Sequence, residues 1–301
     1  MQYSGFLNLN KPKDFTSHDC VGKMRRLLHL KKIGHGGTLD PSATGVLPIA
    51  VGKVTRLLQF LPEKKAYIAK ICFGIRTNTD DLEGEILERN LSSDLTLEDI
   101  KLHLPSFLGE IEQIPPAFSA IKQGGTPLYK LARKGEDVAV PKRIVKIEKI
   151  EVLKWFCGDF PELELKITCG SGTYIRAIAR DLGNLVKKGA TLGSLERVLS
   201  CGMEIKESLT FEEIETKIKE DNLTLISPEK MLSHLPIFSL KNEIGKRWCQ
   251  GQKIMIEDSL NLAFNRVIRV KNEDNLLLGV GEFNLIENEV LLIAKVVLNP
   301  Y

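Results

Sequence analysis

No two cysteines in this chain stand at a metal-binding or redox spacing. The six, at positions 20, 72, 157, 169, 201 and 249, form neither a C-x-x-C pair nor a repeat. That pattern argues against zinc sites and a disulfide framework, and it points to buried, reduced thiols. Net charge is also scarce, since 42 Lys and Arg against 39 Asp and Glu leave +3. Affinity for a nucleic acid would have to come from local patches, and a chain so nearly neutral reads as a monomer. No apolar run approaches the roughly 20 residues of a membrane span. The opening GFLNLNK is too polar for a signal segment, so a soluble, cytoplasmic protein without a membrane partner is expected. Gly34-His35-Gly36-Gly37 does not fit G-x-G-x-x-G, and Gly52-Lys53 lacks the rest of a phosphate-binding loop. With no H-E-x-x-H or G-x-S-x-G either, nucleotide-dependent, zinc-proteolytic and α/β-hydrolase chemistries lose support, and no metal or nucleotide cofactor is indicated.

What the chain does contain is globular. An apolar fraction of 43% and a charged fraction of 27% over 301 residues suit one large and one small domain. Alternation and turn residues predict strands over 5–10, 46–51, 67–73, 144–153 and 163–169. A helix follows Ser17, with Val21, Met24, Leu27 and Leu28 on one face, and others run over 54–61, from near 173 to 185, and over 211–220. Thr96 and Asp99 form a capping box. Residues 114–143, rich in proline, glycine and basic side chains, read as an excursion from the core. Residues 223–236 read as an interdomain link. Beyond them, short β-prone runs at 267–270, 276–280 and 290–297 suggest a small β-rich module. Lys23 to Arg26 with Lys31 and Lys32, Lys142 to Lys146, and Lys187 with Lys188 are basic clusters, each of which would serve as a phosphate contact or simply as a solvated face.

The stretch from Gly34 to Pro41 reads as an irregular, glycine-rich loop that ends in an Asp-Pro. Asp40 either caps a turn there or is a carboxylate held rigidly toward a cleft. The run GHGGTLDPSATGVLPIAVGKVTR, residues 34–56, resembles the signature loop of TruB-type pseudouridine synthases, with the aspartate of T-L-D-P falling on Asp40. NKPKDFTSHD near the N-terminus, KKAYIAKICFGIRTNTDDLEGEI in the middle and CGSGTYIRAIARDLG after residue 168 fall with it in the family's order, and IPPAFSAIKQGGTPLYKLARKGEDV resembles its proline-rich segment. Leu195 and Arg197 match an L-x-R-T-x-x-G run in which Val198 replaces the threonine. The tail around Gly251-Gln252 and Leu278-Gly279-Val280-Gly281 resembles a short PUA domain.

This resemblance implies an α/β (α+β) pseudouridine synthase fold, a mixed central sheet with flanking helices over residues 1–232, with 114–143 as a flap over RNA. A β-barrel-like PUA domain would occupy 233–301. It further implies isomerisation of the T-loop uridine of tRNA, position 55 in conventional numbering, with the T-arm stem-loop as partner and no cofactor. Asp40 would be the nucleophile or electrostatic catalyst, Arg176 its partner, and Tyr67 the ring against the target base. His35 would enter the space left by the flipped base, and Leu195 would contact substrate. Lys11, in the N-K-P turn, would bind phosphate or support the loop. A guanidinium suits a carboxylate that must stay ionised when RNA excludes water, because it stays charged and meets the carboxylate as a fork. Two other readings compete. One is a non-catalytic RNA-binding protein on the same scaffold. The other is a glycosidic-bond hydrolase, which lacks a recognisable pair of acid and base carboxylates here.

Overall fold

A computed structural model describes residues 4–119, 122–123, 126–128, 140–256, 266–287 and 289–299. Half of the expected flap, including 129–139, lies outside the described residues. Among those described, no helix is long and apolar enough to cross a membrane.

The first unit is built on a nine-stranded mixed sheet. Its strands are β1 (Gly5–Lys11), β2 (Ile33–His35), β3 (Thr44–Val51), β4 (Lys65–Phe73), β5 (Gly109–Gln113), β6 (Arg143–Phe156), β7 (Glu162–Cys169), β8 (Ala190–Ser200) and β9 (Met203–Glu204). They run in the order β1-β3-β8-β4-β7-β6-β5, with β2 on β3 and β9 on β8. Only the β8–β3 pairing in this sheet is parallel. It is short, and Gly45 opposite Arg197 is what permits it, because a Cβ on Gly45 would stand 2.3 Å from the Arg197 carbonyl oxygen. The central strands β4 and β7 alternate as half-buried strands must. Ala69, Ile71 and Phe73, with Leu163, Leu165 and Ile167, are fully out of solvent in one core cluster.

Helices cover the sheet: α1 (Ser17–Leu28), α2 (Ile175–Leu185) and α3 (Phe211–Lys219). Helix α1 buries Cys20, Val21, Met24 and Leu28 against β1 and β3, and α3 adds Phe211 and Ile214 to the same cluster. Helix α2 lies close on β8 because Gly183 has no Cβ, which would otherwise come within 2.2 Å of the Ala190 amide nitrogen. Much of the basic surface read from sequence is engaged locally. Lys23 pairs with Glu215, Lys142 with Glu112 and Lys188 with Asp94, while Arg25 donates to the Ile33 carbonyl.

Three expectations need correction, and one strand went unread. The cap of α1 is Thr16, in a reciprocal box with Asp19, and not Ser17. The stretch 54–61 is a 3-10 helix, Gly52–Phe60. The glycine-rich loop begins as a strand, since Ile33–His35 pairs with β3. Strand β8, the parallel neighbour of β3 and a central member of the sheet, had no clear sequence signal, because irregularities in its pairing with β4, between Leu192 and Ser194 and between Arg197 and Leu199, break the alternation.

The second unit is a five-stranded sheet, β10 (Ile237–Leu240), β11 (Ile254–Met255), β12 (Val267–Asn272), β13 (Leu277–Ile286) and β14 (Glu289–Val297), in the order β10-β12-β13-β14-β11. Helix α4 (Asn242–Cys249) packs Trp248 into it. The two units share one hydrophobic cluster, in which Phe6, Val46, Val54 and Leu57 of the first meet Leu277, Val280, Val296 and Leu298 of the second. Buried cations pin the link between them. Arg269 donates to the carbonyls of Leu235 (2.9 Å) and Ser233 (3.2 Å), and Lys271 pairs with Glu229. Leu57→Ala should therefore destabilise the whole chain by about 2–5 kcal/mol, as for other buried leucines. A chain ending at residue 232 should lose cooperative unfolding as followed by circular dichroism, whereas a soluble fragment that melts cooperatively would show the units to be independent.

Candidate active site

Asp40 lies in a segment, Gly37 to Pro41, that makes no ladder hydrogen bonds, so its carbonyls need partners from elsewhere. Long-range contacts supply them. The buried Arg197 of β8 donates from Nη2 to the Gly37 carbonyl (3.1 Å), from Nη1 to that of Thr38 (3.2 Å) and from Nε to that of Val46 (2.8 Å). The Ser17 hydroxyl accepts from the Leu39 amide (2.9 Å) and donates to the Leu39 carbonyl (3.1 Å). The Asp40 carbonyl accepts from the Ala43 amide, and that of Pro41 from the Asp14 amide. Lys11 Nζ reaches the carbonyls of Pro12, Phe15 and Pro41 at 2.7–3.0 Å.

The chain from 37 to 41 is thus fastened residue by residue, while the Asp40 side chain stays 42% exposed. Its Oδ2 lies 3.0 Å from Arg176 Nη2. Arg176, with only 8% of its side chain exposed, also faces Asp81 at 3.3 Å and donates to the carbonyls of Thr79 and Phe118, each at 3.1 Å. Each of its two Nη groups thus meets one carbonyl and one carboxylate, and the guanidinium lines the cleft. Helix α2 holds it there. The start of that helix is gripped by Gln113 of β5, whose side chain accepts from the Tyr174 amide and donates to the Tyr174 carbonyl.

Asp40 and Arg176 line a cleft of about 310 Å³ with Lys13, Ser42, Ile68, Asp81, Glu83 and the 192–196 stretch of β8, which includes Leu195. The volume suits one nucleoside rather than a helix of RNA. Of the residues singled out in the sequence, Asp40, Arg176 and Leu195 meet in this cleft. Tyr67 does not line it. Its ring is 7% exposed, in the core cluster that also holds Leu39 and Ala43. Burial pushes the phenol pKa up, and Arg197, its partner across the β4–β8 pair, works against that shift. His35 sits at the end of β2, outside the cleft lining. Burial lowers its pKa below 6.5 and Arg197 adds to the effect, which favours a neutral ring, and its Nδ1 is buried with no partner.

Lys11 is fully buried. Its three hydrogen bonds to carbonyls leave no ammonium proton for a phosphate, so of the two readings loop support is the one its surroundings fit. Burial lowers its pKa, and the nearby Asp40 and Asp14 oppose that.

Sequence reasoning missed Asp81, Ser17 and Arg197 as parts of this site. Asp81 lay inside a quoted block, and Arg197 inside a matching run, but neither carried a sign of what it would touch.

The fold is that of the pseudouridine synthases. The chain superposes on a chain of a solved Cbf5-Nop10-Gar1 complex with a TM-score of 0.75 and 26% identity, covering 98% of this chain and 85% of that one. A solved H/ACA RNP bound to a substrate RNA containing 2'-deoxyuridine has a chain of the same fold, at 23% identity and a TM-score of 0.72. More narrowly, the chain belongs to the TruB family. The model for the TruB family pseudouridylate synthase N-terminal domain matches residues 25–175. The tRNA pseudouridine synthase B of Gloeothece citriformis is 58% identical over 98% of this chain and 97% of its own length. That of Trichormus variabilis is 49% identical over 98% of this chain and 99% of its own.

Arg197→Met would strand buried carbonyls of the Asp40 loop. It should cost about 3 kcal/mol, the scale for leaving such groups unsatisfied. Urea unfolding measures this, and an unchanged midpoint would mean that the loop holds itself.

Proposed function

We propose that this chain isomerises the uridine at position 55, in the T-loop of tRNA, to pseudouridine. The observation that carries the reading is a cleft of nucleoside size in which a partly exposed carboxylate, Asp40, is paired with a buried guanidinium, Arg176, at 3.0 Å. The full-length relatives named above support the substrate class.

The reaction breaks the N1–C1′ bond, turns the uracil and forms a C5–C1′ bond; the C5 proton leaves for solvent and N1, freed from the sugar, takes up one in its place. No electrons are gained or lost overall. A uridine in a folded loop must first swing out, and a cleft this narrow favours a flipped nucleoside. Asp40 then acts on C1′ or on the base as an ionised carboxylate. Arg176 maintains that charge when RNA displaces water, a condition in which burial alone would favour protonation. Leu195 and Ile68 give the cleft an apolar side against which a base can rest. Stacking by Tyr67 requires part of its cluster to open over the ring. A neutral, partly buried His35 suits insertion among loop bases better than an imidazolium would, because no charge has to be desolvated. We assign residues 1–232 to catalysis and 233–301 to a PUA-like RNA-binding domain, whose link is the pinned stretch between Glu229 and Leu235.

Tritium release from tRNA carrying 5-tritiated uridine tests the reading. Wild type should release label and Asp40→Asn should not, with tRNA affinity kept within about threefold, because the carboxylate's contribution is to the chemical step. Arg176→Ala should lower turnover by about 100-fold or more while affecting binding far less, the scale for losing a preorganised charge partner. Tight tRNA binding without release by wild type would instead favour a non-catalytic RNA-binding protein. Turnover by Asp40→Asn would remove Asp40 from the mechanism.

A further inference from the structure

Helix α2 carries a second arginine one turn after Arg176. Positions 176 and 180 share a helix face, and both guanidinium groups reach the same two segments. Arg176 holds the Thr79 carbonyl and Asp81 on one side and the Phe118 carbonyl on the other. Arg180 Nη1 holds Asp80 at 2.8 Å, its Nη2 donates to the Ile114 carbonyl at 2.8 Å, and its Nε meets Asp181 at 2.9 Å. The Arg180–Asp80 pair is mostly out of solvent, with side chains 22% and 15% exposed.

Asp80 is the pivot of the turn between Thr79 and Asp81, at φ 62°, a left-handed conformation that costs a non-glycine residue energy and so has to be held from outside. Hydrogen bonds from the Leu192 amide to the Asp80 carbonyl and from the Leu82 amide to the Leu192 carbonyl dock this turn on β8. Arg180 holds its side chain.

We propose that Arg180 is a positioning residue for the reaction assigned above, and that it works by occupying Asp80 so that the Arg176 fork is left to Asp40 and Asp81. The inference rests on that functional reading. Carboxylates of Asp40, Asp80, Asp81 and Asp181 surround the two largely enclosed guanidinium groups. If Arg180 is removed, Asp80 becomes an unpaired, largely buried carboxylate next to the turn that Arg176 already touches. The nearest charge able to compensate it is Arg176. Arg176 is then drawn from Asp40 toward the turn, and the Ile114 carbonyl loses its donor at the same time.

This arrangement has a signature that a merely structural role lacks, which is rescue on removing a second partner. Arg180→Gln should lower the single-turnover rate of pseudouridine formation by about tenfold or more, as misplacement of a catalytic group does, with tRNA affinity within about threefold of wild type. Adding Asp80→Asn to that variant should recover most of the rate. The neutral amide no longer competes for Arg176, and asparagine tolerates the left-handed turn. Arg180→Lys keeps Asp80 neutralised and should stay within about threefold of wild type, and thermal unfolding followed in parallel reports folding of each variant.

A further fall in rate on adding Asp80→Asn would overturn the proposal. So would an Arg180→Gln rate within twofold of wild type, or a loss of affinity at unchanged rate, which would make Arg180 an RNA contact. Should Arg180→Gln not fold, the lysine variant decides, because a loss there of about tenfold or more would show that the charge on Asp80 is not what matters. Absence of pseudouridine with the wild-type protein would strike the functional reading itself, which the wild-type control separates from these outcomes.

Discussion

The site depends on a set of backbone carbonyls that have no partners in their own loop. From Gly37 to Pro41 the chain runs without ladder bonds beside a packed sheet, where an unpaired carbonyl is costly. Two buried cations and a hydroxyl solve this. Arg197 reaches from β8, Lys11 from the end of β1, and Ser17 from the first turn of α1. A cation whose hydrogen bonds go to carbonyl oxygens has given up its water, so each of these contacts must be kept intact for the group to stay buried. The loop is held for the same reason that the cations are tolerated, and Asp40 projects from a stretch whose backbone is bonded to three other elements.

The opposing wall follows a different logic. Arg176 and Arg180 project from one helix into a cluster of carboxylates and carbonyls contributed by the 79–81 turn and the 114–118 segment. Neither is a surface ion pair of the kind that contributes little. Both are largely enclosed, and losing one partner would leave a charge stranded. The helix is itself seated by Gln113 at its start and by the absent side chain of Gly183 near its end. Asp40 is therefore addressed by two rigid bodies, the loop fixed on β8 and β1 and the helix fixed on β5 and β8. Strand β8 takes part in both.

Seen this way, the second unit is less an appendage than a buttress. Its strands β13 and β14 complete the cluster that begins at Phe6 and Val46, on the strands whose ends carry Lys11 and the Asp40 loop. Arg269 and Lys271 then hold the connecting stretch against the new sheet.

The sequence by itself determined the elements with strong local pattern, β1, β4, β7 and the helices with clean apolar faces, because period-2 and period-3.6 alternation is a property of neighbouring residues. Its ordered blocks also pointed to the family and to the Asp40–Arg176 pair. Local pattern was silent on β8, whose alternation is broken by two register shifts against β4. It also misassigned Ser17, whose hydroxyl turns from the helix end to Leu39, 22 positions away. Only the tertiary structure decided that Lys11 faces carbonyls instead of phosphate, that Tyr67 lies under the cleft surface, and that Arg197 grips a loop 160 residues earlier. The physical reason is common to all three. A polar side chain's role is set by which orphaned backbone groups the fold brings within 3 Å of it, and those groups carry no mark in the sequence.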